Sequence, residues 1–142
     1  KLFGNVRVPS AVWTEIVEQG TGFPVQVAAR RAAADAWLHV TPLGTPAEPI
    51  TVAGHKLHRG ETEVIRLGQQ LHAAVLLMDD RRAVVQARVM GFRVAPTIAI
   101  YIQAKRLGLI PSVKEKVDQL RAARFRLSDQ DCRAVLAVAG ER

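Results

Sequence analysis

The chain has 142 residues, the size of one domain, and 49% of them are hydrophobic; that suffices for a buried core and excludes a disordered chain. Its apolar runs are far too short to span a bilayer, the sequence opens KLFG rather than with a charged-then-apolar leader, and a single cysteine, Cys132, excludes an internal disulfide, so a cytoplasmic protein away from membranes is expected. Twenty Lys and Arg against 13 Asp and Glu leave a net charge of +7, which suits a polyanion partner such as RNA, DNA or an acidic protein.

Taken in chain order, Val6 to Val8 reads as a short strand closed by Pro9. Ser10 is then the expected cap of a helix, SAVWTEIVEQG, that Gly20 ends, with Val12, Trp13, Ile16 and Val17 as its apolar stripe. A second helix is predicted from about Pro24 to Ala36, and a strand over Leu38 to Thr41. Pro42 to Gly54 carries three prolines and two glycines and reads as a loop. A helix follows from Gly60 to about His72, then a fully apolar strand over Val75 to Met78. A helix to Met90, a short strand over Phe92 to Ala95 and a helix from Pro96 to about Leu107 come next. Pro111-Ser112 and Ser128 open two more, the last ending at Gly140. Short apolar strands alternating with helices predict an α/β sandwich around a mainly parallel sheet. The chain is treated as a single domain over 1–142, helical from about residue 111.

The acids carry the chemistry. Asp79 and Asp80 follow the apolar run AAVLLM, where open parallel sheets bind ligands. Adjacent carboxylates repel unless a cation or an arginine compensates. Hard cations such as Mg²⁺ and Mn²⁺ prefer such oxygens, whereas a helix N-cap explains one of the two acids, and Arg81 and Arg82 could neutralise both. In the next helix upstream, Val64, Ile65, Gly68 and Leu71 form the expected buried stripe, with Glu61 on the same face and Glu63 pointing away. A carboxylate on a core face needs a partner, so Glu61 is the functional candidate. Glu63, three residues after a Gly60 cap, fits the capping-box position. Glu15 and Glu18 read as solvated from their helical face alone. His39, His55, His58 and His72 show no metal-ligand spacing, and neither a phosphate loop nor a nucleophile motif is present.

Four segments in order, VRVPSAVWTEIV, LHRGETEVIRLGQQL, AVLLMDDRRAVVQARVMGFRV and IYIQAKRLGLIPSV, resemble the PIN-domain proteins, specifically the small prokaryotic branch related to VapC-type toxins. The resemblance implies a metal-dependent ribonuclease fold whose clustered acids hold Mg²⁺ or Mn²⁺. Carried onto this chain, it makes Glu15, Glu61 and Asp80 the metal ligands and adds Asp79 to the catalytic set. It also implies an antitoxin protein and a homodimer as partners. The family pattern has an earlier strand bearing a further aspartate, which this chain, opening at Lys1, lacks. Arg81, Arg82, Lys105 and Arg106 are candidate phosphate contacts. The resulting expectation is a PIN-type endoribonuclease, the toxin of a toxin–antitoxin pair. The alternative is a catalytically incomplete PIN-like module that binds RNA or a protein.

Overall fold

The computed structural model describes residues 2–19 and 23–142; the expected helix end at Gly20 lies outside them. The chain forms two compact units, residues 3–94 and residues 95–142.

In the first unit, β1 (Val6–Pro9) runs into α1 (Ser10–Trp13), which continues as a π-helical turn, Thr14–Glu18. After α2 (Phe23–Ala34) comes β2 (Leu38–Thr41), which pairs parallel to β1 in the register Val6 to Leu38 through Pro9 to Thr41. The helices between them form the crossover that parallel neighbours require. The segment expected to be all loop contains a small antiparallel hairpin, β3 (Thr51–Val52) and β4 (His55–Lys56). Ala53 and Gly54 turn it with φ of 48° and 79°. Two consecutive positive φ values match the twist of a two-residue hairpin, but an alanine at the first position does not announce one.

α3 (Arg59–Leu71) follows, and His72 ends it in the left-handed region at φ 48°. The chain then reverses into β5 (Leu76–Leu77), and α4 (Arg81–Val89) leads to β6 (Val94–Ala95) beside β5. Among the described residues the strands therefore pair as three two-stranded sheets. The core gathers Ile50, Leu57, Ile65, Leu76, Met78, Ala83 and Ala87. α3 is buried around much of its circumference, since Gly60, Thr62, Glu63, Ile65, Leu67 and Gly68 are all inside. Gly68 allows this packing: a methyl group placed there would lie 2.6 Å from Leu76 Cδ2.

In the second unit, α5 (Thr97–Arg106), α6 (Val113–Ala122) and α7 (Asp129–Ala139) enclose Val113, Val117 and Cys132. Ser112 and Ser128 cap the last two helices as their sequence predicts. Glu141 turns back onto the start of α6. Its carboxylate accepts from Val113 N at 2.9 Å, from Lys114 N at 2.8 Å and from Ser112 Oγ at 3.1 Å, and it pairs with Lys105. Among the described residues no helix is long and apolar enough to cross a membrane.

Candidate functional site

In α3 the capping-box position falls on Glu61 rather than Glu63. The helix starts two residues earlier than expected, with His58 rather than Gly60 as N-cap. Each residue turns a helix by about 100°, so Glu61 becomes the third helical residue and its Oε2 accepts from His58 N at 2.9 Å. This is the glutamate half of a capping box. Glu63 is the buried one, 7% exposed, and both its oxygens are used. Oε2 accepts from Ala11 N at 3.0 Å, and Oε1 from Arg59 Nε at 2.9 Å. Glu63 thereby caps α1, the role expected of Ser10; Ser10 is the first residue of that helix, and no side chain of its own N-cap residue serves.

Glu15 stands on the π turn that extends α1, exposed to solvent. Such turns within helices often mark functional positions, and nothing in VWTEIV announces one. A methyl group placed on Gly60 would lie 3.1 Å from each oxygen of the Glu15 carboxylate. Glu15 therefore lies against the first turn of α3, the turn that carries Glu61. Both Glu15 oxygens are free of hydrogen bonds among the described residues, as is Glu61 Oε1.

Asp80 is the N-cap of α4: its Oδ1 accepts from Arg82 N at 2.9 Å and Ala83 N at 3.0 Å, leaving Oδ2 without a hydrogen bond among the described residues. Asp79 and Asp80 are both exposed. The chain reverses at His72, and Leu76 meets α3 at Gly68.

The donor set is all carboxylate oxygen, the chemistry of a hard divalent cation. Among the described residues, however, no three His, Cys, Asp or Glu side chains are grouped closely enough to hold an ion together. Glu15 and the turn bearing Glu61 come together without forming an assembled metal centre among the described residues.

Of the expected phosphate contacts, Arg81, Arg82 and Arg106 are exposed and make no ion pair among the described residues. Lys105 is committed elsewhere: its Nζ donates to Ala139 O at 2.9 Å and pairs with Glu141. The four histidines include no metal cluster. Arg59 is the cation that sequence reasoning passed over. It lines two neighbouring cavities, the smaller of which also holds Glu15. Its four-residue spacing from Glu63 was the available signal.

The model of a family described as PIN domain matches residues 1–141. The chain belongs to the PIN-domain family. A PIN domain is a nuclease-type α/β fold, and PIN domains generally use divalent metal ions. No curated protein and no solved structure matches the chain.

Proposed function

We propose that this PIN domain is a Mg²⁺- or Mn²⁺-dependent endoribonuclease, the cytoplasmic toxin of a toxin–antitoxin pair, with Glu15, Glu61 and Asp80 as metal ligands and Asp79 in the catalytic set. One observation carries the reading. The carboxylate of Glu15, without a hydrogen bond among the described residues, lies against the turn bearing Glu61. Bound there, the ion would supply an activated water and neutralise charge on the attacked phosphate. The guanidinium groups of Arg81 and Arg82, in no ion pair among the described residues, are suited to holding phosphate oxygens bidentately. A small antitoxin and a second copy of the chain are the protein partners this reading brings, and light scattering with and without a co-expressed antitoxin checks both.

The test is cleavage of a mixed RNA pool in Mn²⁺, with Glu15→Gln and Asp80→Asn alongside. Neither variant should disturb folding, because Glu15 makes no hydrogen bond among the described residues and asparagine caps a helix as well as aspartate does. Cleavage that EDTA abolishes and that each variant lowers by at least about tenfold is the expected result. Metal-independent cleavage, or variants as active as wild type, would sink this reading. The dispersed acids favour a second reading, a PIN module that binds RNA without cutting it; RNA binding with no cleavage in any metal would establish that one instead.

A further inference from the structure

A cavity of about 630 Å³ opens beside the start of α3, where Arg59, Thr62 and Glu63 line it, within the about 300–1,000 Å³ typical of small-ligand sites. One wall is the segment between β2 and β3, which contributes Pro42, Leu43, Pro46 and Ala47. Leu57 adds to the apolar lining, and Thr62 and Ser10 add polar groups. This wall is held in place. Gly44 N donates to Gln70 Oε1 at 2.9 Å, and Arg66 donates to Glu48 O at 3.4 Å, so side chains of α3 pin the loop at two points. Its prolines restrict the backbone further.

Two cations stand at this cavity. Lys56 is exposed and has no hydrogen bond or ion pair among the described residues. Arg59 donates to Glu63 through Nε alone, and its terminal nitrogens have no partner among the described residues. Arg59 and Ser10 also line the cavity of about 140 Å³ that contains Glu15. An apolar slot, two cations at its edge with nitrogens unused among the described residues, and continuity with an acidic catalytic candidate describe a ligand with a flat apolar body and an attached anion.

We propose that this cavity is a nucleotide subsite for single-stranded RNA. A base lies against the proline–leucine wall, and its phosphate is held by Lys56 and Arg59. The adjoining nucleotide then reaches the Glu15 side. The choice of RNA rests on the nuclease reading above.

The experiment is fluorescence anisotropy with a short fluorescein-labelled single-stranded RNA of mixed sequence, in EDTA, on the full chain. Ala47→Trp fills the slot and is expected to weaken binding about tenfold, the scale of one lost base-stacking contact. Lys56→Ala is expected to weaken it and to reduce the salt dependence by about one phosphate contact. Arg133→Ala, an exposed cation of α7, is expected to change affinity by less than about twofold. Circular dichroism checks folding, and Lys56→Ala tests the site even where the tryptophan disturbs the loop. Wild-type affinity in both cavity variants, or an equal loss in Arg133→Ala, overturns the subsite. Because binding is read without metal, a failure of cleavage bears only on the nuclease reading, and unmoved affinity bears only on the subsite.

Discussion

Glu63 shows how a single carboxylate organises this region. It is buried, yet each oxygen has a donor. The ion pair with Arg59 contributes little, because the arginine side chain is 79% exposed and exposed partners are screened. The bond to Ala11 N is the costly one to lose, since it leaves a buried N–H without an acceptor. Glu63→Ala is expected to cost about 1–3 kcal/mol in urea unfolding, with Glu63→Gln, which can still accept from Ala11, costing less. Gly60→Ala probes Glu15 without touching an acid. The added methyl would stand 3.1 Å from both carboxylate oxygens and 3.2 Å from Val12 Cγ2. Alanine is favoured over glycine in a helix by about 1 kcal/mol, and Glu15 is exposed and can swing away. Unchanged or raised thermal stability together with lowered RNA cleavage is the expected pair of results. At this scale the sequence revealed residue types better than roles. Glu61 and Glu63 differ by two positions, so a cap displaced from Gly60 to His58 was enough to move the capping-box position from Glu63 to Glu61. The glutamate that caps α1 comes from 52 positions away, beyond any local pattern.

At the scale of elements, sequence periodicity found nearly every helix and strand, because Gly, Pro and Ser mark most boundaries. It missed the β3–β4 hairpin, whose strands are two residues each and whose turn lacks the usual asparagine. It also missed the π turn over Thr14–Glu18, which no residue of VWTEIV announces. The start of α6 depends on a distant group too. Its N-terminal amides, together with Lys105, hold the Glu141 carboxyl down to about 2 from its ordinary 4.5, against an opposing contribution from burial. The pair with Lys105 has the largest effect, and the backbone bonds to Val113 and Lys114 follow. A pKa lowered by folding stabilises the native state above the ordinary value and is lost as pH falls through the folded one. Melting temperature should therefore drop as pH falls from about 4.5 toward 2. Glu141→Gln should melt lower at neutral pH and lose part of that acid dependence. Parallel melting curves for the two proteins would show that Glu141 does not titrate in this way.

Across the whole molecule, the positive charge is uneven. Residues 3–94 carry ten Lys and Arg against eight Asp and Glu, whereas residues 95–142 carry nine against five in roughly half the length. Phosphate contacts release condensed counterions, so the logarithm of RNA affinity is expected to fall linearly with that of salt concentration, with a slope of about −0.7 per contact on single strands. Replacing Arg124 and Arg126 together by alanine should flatten that line if the second unit binds phosphate, and the same salt titration reads it. The α/β class was legible because helices and strands alternate. The pairing of strands was not, because short apolar runs do not encode their partners. The acids could be named singly, but the approach of Glu15 to the first turn of α3 joins two distant segments, which no motif spells out. Cys132, the chain's one thiol, packs with Val113 and Val117 in the second unit's core. A thiol-reactive dye can couple there only during transient openings of that unit, so labelling kinetics under native conditions would clock its local unfolding while leaving the first unit chemically silent.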